Sequence, residues 1–75
     1  MTTYEELLEA EKMPNLATVE IREKSSGKTG VANTCEKGMV AVYYGADDGS
    51  DDAVISAEDF SQRFEITAVI TGREW

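Results

Sequence analysis

The chain has 75 residues, a formal net charge of −8 from 15 acidic and seven basic side chains, one cysteine and no histidine. A chain this short is one domain that buries only about 60% of the surface exposed by its unfolded form, and one cysteine leaves no intramolecular disulfide to stiffen it. Without histidine there is no Ser-His or Cys-His pair and no imidazole ligand for zinc, and the acidity works against direct contact with nucleic-acid phosphates.

No apolar run reaches the roughly 18 residues that cross a bilayer. The opening MTTYEELLEAEK is acidic where a secretory leader is basic. Together with the unpaired cysteine, this points to a soluble protein in a reducing, cytoplasmic setting, without membrane contact.

Thr3 followed by Glu6 has capping-box spacing and predicts a helix over residues 3–12. Tyr4, Leu7 and Leu8 form its apolar stripe, while Glu5, Glu6, Glu9 and Lys12 point outward. Pro14 ends it, because a proline pushes the preceding residue out of the helical region. Isolated helices shorter than roughly 12 to 15 residues are marginal in water, so the stripe must lie on something.

From Leu16 the apolar period drops to two. Ala17, Val19 and Ile21 alternate with Thr18, Glu20 and Arg22, as in a strand with one buried face. KSSGK supplies a turn, TGVANTC a weaker second strand, EKG a tighter turn with Gly38 available for positive φ, and MVAVYY the most β-prone run. Three consecutive antiparallel strands form a meander. After the acidic stretch GADDGSDD comes a short strand, AVIS, and Ser56 with Asp59 predicts a capped single helical turn, AEDF. FEITAVI closes the sheet, with Phe64, Ile66, Ala68 and Ile70 expected on one face.

Five short strands in residues 16–71, an N-terminal helix, a one-turn helix before the last strand and a flexible tail at 72–75 predict a mainly β (α+β) fold. The expected form is a small five-stranded antiparallel barrel, since closure removes the exposed edges of a flat sheet. The stretches SGKTGV and ISAEDFSQRFEI resemble segments of the SH3-like barrels. The first is similar to the glycine-containing turn of ribosomal and transcription-factor versions. The second is similar to the closing segment of small phage-encoded domains, in which an aromatic on the turn and another a few places on pin the final strand. The resemblance implies the SH3-like fold; the charge departs from that of the nucleic-acid-binding members.

No enzyme chemistry is expected. Cys35 lies near Lys37 but reads as an inert, half-buried thiol. A carboxylate pair doing acid–base work needs a cleft that a chain of this size can hardly build. Asp47, Asp48, Asp51 and Asp52 are hard oxygen ligands, yet counting back from Gly49 at alternate positions gives Asp48, Ala46 and Tyr44, so the EF-hand pattern fails and only weak, adventitious calcium binding is left. GKTG lacks the earlier glycine of a phosphate loop. Neither a cofactor nor a resident metal is expected.

The charge itself is the remaining feature. Asp47, Asp48, Asp51, Asp52, Glu58 and Asp59, together with Glu5, Glu6, Glu9 and Glu11, would form one negative surface if helix and loop lie on the same side. Such a surface fits a protein partner with a basic face, engaged by charge-assisted hydrogen bonds. In size, acidity and lack of catalytic residues the chain resembles small phage inhibitors of nucleic-acid enzymes, anti-CRISPR proteins among them. The competing reading is a plain solvated acidic surface that keeps the protein dispersed.

A second surface arises if Val40, Val42 and Tyr44 face the core. Met39, Ala41 and Tyr43 then face out, as a site for a peptide or for a homo-oligomer of a phage virion or assembly protein. A barrel small enough to bury both faces is the alternative. Trp75 at the chain end is either mobile or a contact anchor.

Overall fold

A computed structural model of the chain describes residues 1–44 and 52–72. The elements run α1 (Thr3–Glu11), β1 (Leu16–Glu23), β2 (Thr29–Thr34), β3 (Met39–Tyr43), β4 (Ala53–Ser56), α2 (Ala57–Arg63) and β5 (Phe64–Thr71). The strands form one antiparallel sheet in the order β4-β3-β2-β1-β5, in which β5 returns to pair with β1. The sheet is unclosed, with β4 and β5 at its edges. Both helices pack on one face, and the core lies between them and the sheet.

The cap of α1 sits one residue earlier than its spacing predicts. The Thr2 hydroxyl accepts from the Glu5 N–H at 3.1 Å, and the Thr2 N–H donates to the Glu5 carboxylate at 2.7 Å. Thr3, the expected cap, instead donates its hydroxyl to the Phe64 carbonyl at 3.2 Å. At the other end the Glu11 carboxylate accepts from both the N–H and the hydroxyl of Thr34, so α1 is tied down at both termini. These ties rotate the helix so that Leu7 and Ala10 are buried with Tyr4 partly covered, while Leu8, expected in the stripe, is exposed.

Two register shifts change which side chains face the core. Between β1 and β5, the partners step from Leu16↔Thr71 to Thr18↔Ile70, and from Glu20↔Ala68 to Ile21↔Ile66. The extra residues, Ala17 in β1 and Thr67 in β5, are bulges, each switching the side-chain alternation behind it. Ala17 is exposed for this reason, and Leu16, Val19 and Ile21 share the core side. In β5, Phe64, Ile66 and Val69 face the helices, so Ala68 and Ile70 turn to the opposite face, a correction of the strict alternation expected of FEITAVI.

The loops conform to the turn chemistry. Gly27 and Gly38 both adopt φ of +78°, a conformation other residues adopt at a steric cost. Gly30 has a different reason: a Cβ there would collide with the Tyr43 carbonyl, so β2 and β3 approach closely only because no side chain intervenes. The helix α2 is longer than the single turn expected, seven residues capped by the Ser56 hydroxyl on the Asp59 N–H. It carries Phe60 into the core, where its ring stacks on Phe64 with centroids 5.6 Å apart. Leu7, Val19, Ile21, Val40 and Val42 complete the fully buried set. Gly72, expected to begin a free tail, is bonded to the α1–β1 connection through Asn15.

Candidate functional site

The helical layer collects acidic side chains. Capping fixes the first turn of α1, and that turn is fastened to α2 by the Tyr4 N–H, which donates to the Ser61 hydroxyl at 3.1 Å. Thr2, Tyr4, Glu58 and Ser61 consequently line one shallow depression between the helices. Glu5, Glu6 and Glu9 are exposed on α1, and Glu58 and Asp59 are exposed on the first turn of α2. Carboxylates in a first turn are stabilised by the helix's partial positive charge, which explains locally why acids accumulate at both N-termini.

Little positive charge offsets them. Among the described residues, Lys12 pairs with Glu9 at 3.1 Å, Arg63 with Glu23 at 2.9 Å, and Arg22 with Glu65. Glu5, Glu6, Glu58 and Asp59 are in no ion pair among the described residues. The Arg63 guanidinium bonds to Glu23 and lies 5.3 Å from the Phe64 ring centre, and Asp59 is near enough to favour its charge without pairing with it. The Thr2 N–H and hydroxyl bonds to its carboxylate hold Glu5 below the usual carboxylate range. Glu23 is lowered likewise, first by the Ser26 hydroxyl and then by Arg63, whose own ionisation is pushed up by the same pair.

Of the residues singled out in the sequence, Glu5, Glu9, Glu58 and Asp59 are brought onto this layer. Asp52 accepts from the Tyr44 N–H at 3.2 Å and so fastens the ends of β3 and β4. Asp47, Asp48, Asp51 and Trp75 lie outside the described residues. Tyr43 is 42% exposed but sits on the other face of the sheet, opposite Val31 in the β2–β3 register. There it joins Val54, which is 59% exposed and pairs with Ala41. Ala41 itself is buried and Met39 is partly covered, so the outward face expected of Met39, Ala41 and Tyr43 is reduced to Tyr43 and its neighbours. Cys35 is exposed just beyond β2 rather than half-buried.

One feature of the surface had no signal in the sequence. Between α1 and β5 runs a groove of about 390 Å³ lined by Ala10, Met13, Ile66 and Val69, with Glu6 and Glu9 also bordering it. The Thr67 bulge places Val69 there, and bulges leave no mark in apolar periodicity. Among the described residues, no group of three or more acidic or cysteine side chains is placed to hold a metal ion, and no helix is long and apolar enough to cross a membrane. No protein-family model, curated protein or solved structure matches the chain.

Proposed function

We propose that this chain is a non-enzymatic binding protein, of the kind mobile elements encode, whose acidic helical layer engages a basic protein surface of a nucleic-acid-processing factor and inhibits it. The observation that supports the reading is the bond of α1 to α2, from the Tyr4 N–H to the Ser61 hydroxyl, with carboxylates exposed on both helices, Glu5, Glu6 and Glu9 on α1 and Glu58 and Asp59 on α2. A groove built for phosphates presents arginines and lysines at its walls, and carboxylates on a rigid support can take the phosphates' place. Solvent-exposed pairs contribute only about 0.2–1 kcal/mol each, so five of them steer and orient a partner more than they hold it.

For the finer fold we propose an SH3-like arrangement. The return of β5 to pair with β1, and the helix between β4 and β5, support it.

The function is tested by capturing partners from a bacterial lysate at low and high salt, then challenging the captured complex with duplex DNA. A partner that is retained only at low salt and displaced by DNA meets the expectation. A complex indifferent to both salt and DNA would refute the acidic-surface role. A second reading rests on the exposed Tyr43 and Val54 on the sheet's other face: a homo-oligomeric assembly protein joined through that patch. Sedimentation distinguishes it, since an oligomer dissociated by Tyr43→Glu would favour it and a clean monomer would dismiss it.

A further inference from the structure

The strand β5 is an edge. It runs eight residues, FEITAVIT, pairs on one side with β1, and has no strand on its other side among the described residues. It carries no proline or lysine of the sort that blunts an edge, and its single irregularity is the Thr67 bulge. Beside it lies the groove of Ala10, Met13, Ile66 and Val69, in which Met13 and Val69 are 40% and 41% exposed. The opposite edge, β4, offers only four residues. Phe64 at the start of β5 is already bonded, its N–H to the Phe60 carbonyl and its carbonyl to the Thr3 hydroxyl, so the edge open among the described residues runs over 65–71. That edge, the apolar groove next to it and the carboxylates bordering the groove meet at one place.

We propose that this place receives an extended, basic segment of the partner protein, added to the sheet as a sixth strand along β5. The inference rests on the acidic-surface reading and names how the partner docks. In strand addition the backbone ladder provides affinity and alternate side chains provide selectivity. Side chains on the helix side of the added strand enter the groove against Met13 and Val69, so they are apolar. Lysines or arginines flanking them reach Glu6 and Glu9, of which Glu6 is in no ion pair among the described residues.

Charge decides between this occupant and a second copy of the chain. Two copies joined antiparallel along β5 would place their helices on the same side of a continuous sheet, with α1 beside α1. Glu6 and Glu9 of each would face the like charges of the other, between molecules that each carry −8. A basic strand satisfies the same backbone edge and removes that repulsion.

The test uses the full chain and a labelled peptide of eight residues, the length of β5, alternating valine and lysine. Two control peptides accompany it, one with glutamate in place of lysine and one with an adjacent pair of prolines inserted at its centre, which keeps the charge and breaks the ladder in whichever register the strand adds. The valine–lysine peptide is expected to bind, to slow exchange of the amides of residues 65–71, and to lose about tenfold or more in affinity with proline present. The glutamate peptide is expected not to bind. On the protein side, both keeping a native circular dichroism spectrum, the surface variant Val69→Lys is expected to abolish binding and Glu6→Lys/Glu9→Lys to weaken it severalfold or more. Equal binding of the proline peptide, with perturbations scattered over both helices, would overturn strand addition and leave the acidic surface standing. No binding of either lysine peptide would also overturn it, and the DNA-challenged partner capture decides the acidic-surface role separately.

Discussion

The backbone N–H of Tyr4 and the hydroxyl of Ser61 are joined at 3.1 Å across 57 residues of sequence, and this bond fixes the first turn of α1 on α2. That amide is among those a helix leaves without an internal partner, so one interaction both completes α1 and positions Glu5 relative to Glu58. Replacing Ser61 with alanine leaves the donor unpaired in a partly buried place. The expected cost is about 0.5–1.5 kcal/mol in chemical denaturation, with faster amide exchange concentrated in α1.

The core is small enough for one ring to decide folding. Phe60 is fully buried and stacks on Phe64. Truncating such a residue to alanine costs about 3–5 kcal/mol, comparable with the whole stability of a domain this size. Phe60→Ala is therefore expected to lose its dispersed amide spectrum, whereas Phe60→Leu keeps the fold at reduced stability. A well-dispersed Phe60→Ala spectrum would mean that the helical layer is not held by this ring.

These contacts divide the features legible in the sequence from those that were not. The meander, the acidic first turns and the glycine turns at Gly27 and Gly38 follow from local rules, period two in strands and positive φ in tight turns, and the structure has them. The cap is Thr2 rather than Thr3: Thr2 with Glu5 has the same spacing as Thr3 with Glu6, so local rules leave two registers, and in the one formed Thr3 bonds to Phe64, 61 residues away. Leu8, expected in the apolar stripe, is exposed, and Ala10 is buried beside Leu7. The bulges at Ala17 and Thr67 reassigned the faces of β1 and β5, and the second sets Val69 beside Ile66 in the groove. Of the candidate site, Glu5, Glu9, Glu58 and Asp59 were legible as charge, but their assembly on one layer required the tertiary contact of the two helices.

Acid should weaken the fold in a defined direction. Glu5 and Glu23 are both more acidic folded than in an unfolded chain, by their bonds to Thr2, Ser26 and Arg63. Across the window between the folded and unfolded values the unfolded state holds more protons, so stability rises with pH there and is complete above the usual carboxylate range. Denaturation at a series of pH values is expected to show a plateau near neutrality and a decline as pH falls through the folded values. Glu23→Gln should flatten that decline; an unchanged slope would show that its ties are not maintained in solution.

Asp52 belongs to the acidic stretch yet serves the sheet, accepting from the Tyr44 N–H at the β3–β4 ends. Asp52→Asn keeps an acceptor and removes the charge, so near-wild-type stability is expected. Asp52→Ala loses the acceptor and is expected to cost up to about 1 kcal/mol, with exchange of the Tyr44 amide accelerated.

The central claim is that charges fixed on the helical layer are what a partner reads. Its most direct test is calorimetric titration of the captured partner with the wild-type chain, with Glu5, Glu9, Glu58 and Asp59 changed together to glutamine, and with the same four changed to lysine, each checked for a native spectrum. The account predicts weakened binding for the glutamine form, none for the lysine form, and a steep loss of wild-type affinity with salt. Lysine-form binding equal to wild type would contradict it.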